Sequence, residues 1–147
     1  AQQRSQALVL LRDMVSRIDA NRAQAEAYIT EGLLGVGEPE DCSDLQLADR
    51  DRCEWGNLLR GAAQQAGGAR TGAMAGARGC ITRAADTASR YVVAVAWQGT
   101  VATGSPAHPC AQGTAGFADD ALRRVMAASV CVGTLRDAAA PGGVSRC

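Results

Sequence analysis

The chain begins with residues 1–29, AQQRSQALVLLRDMVSRIDANRAQAEAYI, in which apolar residues recur at steps of three and four. That spacing places them on one face of an α-helix, while charged residues such as Arg12 and Asp19 fall on other faces. The sequence therefore predicts one amphipathic helix over 1–29. The residues expected on its buried face are Ala7, Leu11, Met14, Ile18 and Ala25, followed by Tyr28 or Ile29.

This predicted helix lacks a clear start signal. Helices usually begin after a Ser, Thr, Asp or Asn cap, yet here the apolar pattern is under way within a few residues of Ala1. Ser5 is a weak candidate for a cap. We therefore expect the helix to continue from an upstream segment, which would be the part that anchors the protein.

After the first helix, one more segment keeps helical spacing, and the rest of the chain then changes to alternation. In residues 44–65, Trp55, Leu58 and Leu59 stand at helical steps and predict a short second helix. Strands are expected at 72–83, 91–97 and 122–132. Both faces of 91–97 are apolar, which is typical of a central strand. A long loop rich in Gly, Pro and Ser is expected at 100–117.

This order of elements predicts an α+β fold. A long helix followed by consecutive strands is expected to place an antiparallel sheet against the apolar face of the helix. We expect one domain over 1–147, with the helix in 1–30, a connecting region containing the short helix in 31–70, and the sheet, long loop and tail in 71–147. Trp55 and Trp97 are expected in the core, because large aromatic side chains dominate buried area.

Composition argues against a partner recruited by net charge. The 15 basic residues are all arginine and are balanced by 15 acidic residues, so the formal charge is zero. A neutral chain has no overall field to attract nucleic acid or an anionic membrane. No run approaches the roughly 20 apolar residues that cross a bilayer.

The candidates for catalytic or metal-binding residues are few. The chain has one histidine, His108, and none of its six cysteines forms a CxxC pair. Ser105 is near His108 in sequence, but no GxSxG elbow or orienting carboxylate accompanies it. We predict no enzymatic activity, no metal and no cofactor, and expect His108 to be a solvated loop residue.

The order of several short motifs resembles the PilV class of minor pilins from type IV pili, over most of the chain. The matching positions are 7–14, 17–18 and 20–22 in the helix, Cys42 and Cys53 before Trp55, 80–81, YVVAVAWQG at 91–99, Cys110 and the arginine pair 123–124. The prepilin cleavage site and the hydrophobic half-helix of that family do not occur within residues 1–147.

The resemblance implies a filament subunit with a pilin-like fold. Such a subunit waits in the inner membrane of a Gram-negative bacterium, held by its hydrophobic half-helix, and passes through the periplasm into a surface pilus. Its implied partners are other minor pilins and the major pilin, in a tip complex that primes assembly and so supports adhesion and twitching motility. The face of the helix predicted above would then contact the sheet or neighbouring subunits.

The six cysteines are expected to form disulfides, because an even, widely spaced set is typical of oxidising compartments. Many pairings are possible, and sequence alone leaves them open. We expect sequential pairing, which closes the shortest loops. The pairs are Cys42 with Cys53, Cys80 with Cys110, and Cys131 with Cys147.

Two other functions remain open at this stage. A pseudopilin of a type II secretion system shares the half-helix plan with pilins. A tip-located binding module would instead use the loop 100–117 to contact DNA or a surface receptor, although charge gives no support for nucleic acid.

Overall fold

The computed structural model of this chain describes residues 2–64 and 74–132. The helices are α1 (Gln2–Ala20) and α2 (Leu47–Gln64), with shorter 3₁₀ segments at Arg22–Tyr28 and Asp120–Leu122. The strands are β1 (Arg78–Arg83), β2 (Arg90–Gln98) and β3 (Arg123–Cys131). The domain is therefore α+β, as the order of elements predicted.

The three strands form one antiparallel sheet in the order β1-β2-β3. The prediction of a central strand at 91–97 is confirmed by β2, whose two sides are both covered. Tyr91, Val93, Val95 and Trp97 belong to the core on the helical side. Ala94 and Ala96 on the opposite side pack with residues of the long loop. Continuous apolar sequence arises here because β2 is buried on both faces.

The predicted buried face of the first helix is confirmed. Four of its residues are buried along α1 and the fifth lies in the following 3₁₀ segment; all five join the core formed with β2 and β3. They are Ala7, Leu11, Met14, Ile18 and Ala25. Burial of such a stripe is the main source of stability for a helix of this length.

The prediction of one continuous helix over 1–29 is wrong. α1 ends at Ala20, and Asn21 has φ −131° and ψ 45°, which breaks the helical path. Gln24 inside the following 3₁₀ segment is also non-helical. Asn side chains compete with the backbone for hydrogen bonds, and Asn21 Nδ2 donates to Tyr28 Oη at 3.2 Å. The break turns Tyr28 into the core.

Two strand boundaries also differ from the predicted ones. The first strand begins at Arg78 rather than at 72: positions 74–77 form a turn closed by Ala77 N to Met74 O at 3.2 Å, and 72–73 lie outside the described residues. Gly76 has φ +65°, a left-handed backbone that cannot belong to a strand. The last strand begins at Arg123 rather than 122, because the preceding residues form a 3₁₀ turn capped by Asp119.

Two of the three expected disulfides are present. Cys42 bonds to Cys53, linking the segment before α2 to α2 itself, and Cys80 bonds to Cys110, linking β1 to the long loop. Cys131 is also disulfide-bonded. Cys147, its predicted partner, lies outside the described residues.

Both tryptophans lie in the core, as predicted. Trp55 of α2 and Trp97 of β2 are almost fully buried on the helical side of the sheet. The Trp55 indole Nε1 donates to the carbonyl of Leu10 at 2.9 Å, so the side chain of α2 holds the backbone of α1. The buried Trp55 indole N–H thereby has a hydrogen-bond partner, whereas Trp97 Nε1 is buried without one among the described residues.

Candidate functional site

A groove of about 550 Å³ lies between the outer edges of α1 and α2. The lining residues on each helix recur at steps of three and four, so each set forms one helix face. The described residues that line it are Gln2, Ser5, Gln6, Val9 and Leu10 of α1 and Asn57, Leu58, Gly61 and Ala62 of α2. We refer to this surface as the α1–α2 groove.

The α1–α2 groove is apolar and uncharged. Val9 is 67% exposed and Leu58 is 45% exposed, so two large aliphatic side chains face solvent in the same groove. None of the described lining residues is charged, although charged residues make up 20% of the chain. Depletion of charge around exposed apolar side chains is typical of the centre of a protein–protein interface.

Two further features distinguish the groove. A Cβ added to Gly61 would meet nothing within 4 Å, so the glycine leaves space on the α2 side. On the α1 side, Gln6 Oε1 is buried and has no hydrogen-bond partner among the described residues. An unpaired buried acceptor costs free energy until a donor reaches it.

A charged cluster joins the two helices toward the end of the pair away from the groove. Arg17 of α1 contacts Asp13 at 3.2 Å on its own helix, and reaches Asp51 at 2.9 Å and Glu54 at 2.7 Å on α2. Burial alone would lower the pKa of Arg17, but its hydrogen bonds to Glu54 and the two aspartates raise that pKa. The helix pair is therefore a preformed surface, whose geometry does not depend on an occupant.

Tyr28 completes this cluster from the 3₁₀ segment. Its hydroxyl donates to Asp51 Oδ2, and it is fully buried. Burial, together with the hydrogen bond to the Asp51 carboxylate, raises the pKa of Tyr28 to about 12. The helical break at Asn21 is what allows the ring to reach α2, so the predicted uninterrupted helix would have lost this contact.

The groove was not predicted from the sequence. The helical pattern was used to find the buried face of α1, and Val9 falls beside that face rather than on it. A usable signal was present, since residues 5–11 and 55–59 each lack any charged side chain. What the sequence could not supply is the packing of α1 against α2, which brings the two uncharged segments together.

The long loop is held on the other side of the sheet by Arg123. This side chain is fully buried, with Nε 2.6 Å from Asp120 Oδ1. Its two terminal nitrogens donate to three loop carbonyls, at 2.5 Å to His108, 2.9 Å to Cys110 and 3.1 Å to Pro106. Since the Cys80–Cys110 disulfide ties the same stretch, the loop is fixed in place.

His108 is part of this arrangement and is not fully solvated as predicted. It is half-buried, and its Nδ1 accepts a hydrogen bond from the backbone N–H of Cys110 at 3.1 Å. Burial, and to a smaller extent the positive charge of Arg123, lowers the pKa of His108. No nucleophile is positioned by this histidine among the hydrogen bonds of the described residues.

Within residues 2–64 and 74–132, no group of three or more His, Cys, Asp or Glu side chains is arranged to hold a metal ion. No helix in the same ranges is long and apolar enough to cross a membrane.

Comparison of the chain with known protein families, curated proteins and solved structures found no match.

Proposed function

We propose that this protein is a minor pilin of a type IV pilus, similar to the PilV class, and that it helps to initiate pilus assembly. The observation that carries the proposal is the α1–α2 groove beside a helix whose opposite face packs on an antiparallel sheet. A filament subunit needs such a division, because one helix must hold its own domain together and also contact its neighbours. The resemblance of the motif order supports the same function.

The occupant we assign to the α1–α2 groove is an uncharged, apolar face of a helix from a neighbouring pilin. The groove is formed by two helices and is lined by aliphatic, amide and hydroxyl groups, which suits a helix that lies in a groove through apolar contacts. A charged helix face would lose its hydration there without gaining an ionic partner.

The experiment is complementation of a strain that lacks the gene. We expect the deletion strain to have few surface pili and little twitching motility, and the whole natural gene to restore both. Normal pili in the deletion strain would contradict an assembly role. Loss of type II secretion with normal pili would instead identify the protein as a pseudopilin.

The chain offers a matched pair of valines for testing the groove itself. Val9 in the groove is 67% exposed and Val101 in the long loop is 68% exposed, so Val9→Glu and Val101→Glu introduce the same charge at equal exposure. We expect Val9→Glu to abolish complementation, because burying an unpaired carboxylate at an interface costs several kcal/mol. Val101→Glu should complement as the natural gene does. Equal complementation by both variants would exclude the groove as the contact surface.

A further inference from the structure

A second cavity, of about 290 Å³, lies on the opposite side of α2 from the groove. It is lined by three glycines, two arginines, one glutamate and one alanine: Gly35, Gly37, Gly76, Arg60, Arg78, Glu38 and Ala63. Gly35, Gly37 and Gly76 all have positive φ, so the chain bends sharply around the opening. Among the described lining residues, the two arginines are the cationic groups.

The two arginines differ in how their charge is balanced. Arg60 is only 8% exposed and is fully engaged: its Nε and Nη2 donate to Val36 O, its Nη1 donates to Asn57 Oδ1, and Glu40 lies 3.8 Å away. Arg78 donates only through Nη1, to the carbonyls of Gly35 at 3.2 Å and Ala77 at 3.0 Å. Within the described parts of the chain, no carboxylate lies within ion-pair distance of Arg78.

The bonds of Arg78 leave one edge of its guanidinium unused. Because Nη1 is occupied by the two carbonyls, the Nε–H and Nη2–H groups remain without a partner among the described residues. Those two donors form the parallel fork that binds a carboxylate in bidentate geometry. Burial, followed by the nearby charge of Arg60, lowers the pKa of Arg78, as expected for a cation with a like charge beside it and no anion.

The charge of the lining selects the kind of anion. Arg60 already faces Glu40 at 3.8 Å, so among the described lining residues Arg78 is the cation without a carboxylate partner, and Glu38 places one negative charge in the same lining. A singly charged anion matches the single charge of Arg78, whereas a doubly charged phosphate or sulfate would place a further negative charge beside the Glu38 carboxylate. The geometry and the charge therefore favour the same ligand.

We propose that this cavity is a binding site for a single carboxylate, held by the Nε and Nη2 edge of Arg78 with Arg60 beside it. The carboxylate is either a free small acid or an Asp or Glu side chain of a partner protein. The proposal is independent of the pilus function, since it rests only on the cavity and its charges.

The test is a set of NMR titrations of the 147-residue chain at constant ionic strength. The probes are sodium acetate for a free acid, the peptide N-acetyl-Gly-Glu-Gly-amide for a side chain, and sodium sulfate for a dianion. We expect saturable shifts of the Arg78 Nε–H signal and of the Gly35, Gly37 and Gly76 amide signals with acetate and with the peptide. Tighter binding of the peptide than of acetate would identify an Asp or Glu side chain of a partner protein as the source of the carboxylate. Equal or tighter binding of acetate would identify a free small acid as the source.

Two variants change the site in opposite directions. Arg78→Gln should weaken acetate binding by about tenfold or more, as expected for loss of a charged hydrogen-bonding partner. Glu38→Gln should tighten binding, because it removes the competing carboxylate from the lining. The controls are Arg50→Gln and Glu31→Gln, which make the same charge changes at exposed positions outside the cavity, and both should bind as the natural chain does.

Several results would overturn the proposal. They are the absence of saturable shifts beyond those caused by chloride, saturable binding of sulfate but not of acetate, and unchanged acetate affinity in Arg78→Gln. Because Glu38→Gln adds no bulk and removes no hydrogen bond among the described residues, its expected gain in affinity remains a test even where Arg78→Gln alters the fold.

Discussion

Two glycines in this fold have opposite surroundings. Gly79 lies in β1, and its backbone exchanges hydrogen bonds with Leu34, at 2.9 Å and 3.0 Å. A Cβ at Gly79 would overlap the ring of Trp55 and lie 2.8 Å from Leu59 Cδ1. Gly61, on the groove side of α2, has nothing within 4 Å of such an atom. The glycine in the strand is required by packing, and the glycine in the helix is not.

These surroundings predict opposite effects of the same substitution. Gly79→Ala should lower the free energy of unfolding by about 1–3 kcal/mol, because the added methyl group forces Trp55 out of its position. Gly61→Ala should raise it by about 0.5–1 kcal/mol, since alanine lowers the entropy cost of a helix interior. Urea denaturation of the two variants gives both values. A stable Gly79→Ala variant would mean that Trp55 can move without cost.

Sequence reasoning succeeded for residues whose role is set by local periodicity. Met14 and Ile18 were predicted to be buried because helical spacing alone places them on one face. The role of Arg123 was not predicted: its two terminal nitrogens bind three loop carbonyls. Those carbonyls come from a loop whose path no sequence pattern predicts. The contacts of Arg123 with them could therefore be found only in the folded chain.

At the level of elements, the existence of the helices was predicted better than their extent. The pattern around α1 and α2 identified both helices, yet it carried no sign of the break at Asn21. Apolar spacing continues through the break, because the following 3₁₀ segment also turns Ala25 and Tyr28 inward. Periodicity reports which side chains are buried and is insensitive to a change between helix types.

His108, in the long loop, should make the free energy of unfolding of the protein depend on pH. His108 is half-buried beside Arg123, and its pKa is lowered in the folded protein. The unfolded chain therefore binds a proton more readily than the folded chain as the pH falls below the ordinary histidine value of 6.5. It follows that the free energy of unfolding should decrease as the pH falls through that region.

His108→Asn tests this dependence without removing the loop contact. The asparagine Oδ1 can accept the hydrogen bond that Cys110 N donates to His108 Nδ1, but it does not titrate. We expect the variant to lose less stability than the natural chain when the pH is lowered from about 7 to about 5, by urea denaturation at each pH. Equal losses in the two proteins would mean that His108 is protonated as easily in the fold as in the unfolded chain.

For the whole molecule, the sheet is covered differently on its two sides. Helices α1 and α2 cover one side through a large aliphatic and aromatic core. The loop covers the other through a smaller cluster that includes Cys110 and Phe117. The order of elements predicted the helical side, but it gave no indication that a loop rich in Gly and Pro would cover the second. The smaller cluster explains why that side relies on a disulfide and on Arg123.

The length of the loop that each disulfide closes predicts which of the two described disulfides matters more to the stability of the whole fold. Cys80 and Cys110 are 30 residues apart, whereas Cys42 and Cys53 are 11 residues apart. Because a crosslink that closes a longer loop restricts the unfolded chain more, its removal should cost about 1 kcal/mol more. We therefore expect Cys80→Ala/Cys110→Ala to unfold at lower urea concentration than Cys42→Ala/Cys53→Ala.

Both double variants should still fold, which makes the comparison informative. Arg123 continues to bind the carbonyls of Pro106 and His108 when the Cys80–Cys110 bond is absent, and Trp55 continues to hold α2 on α1 when the Cys42–Cys53 bond is absent. Near-ultraviolet circular dichroism should therefore remain close to that of the natural chain. Equal stabilities, or the reverse order, would mean that packing around Cys42 outweighs loop length and that the loop side of the sheet is held by Arg123 alone.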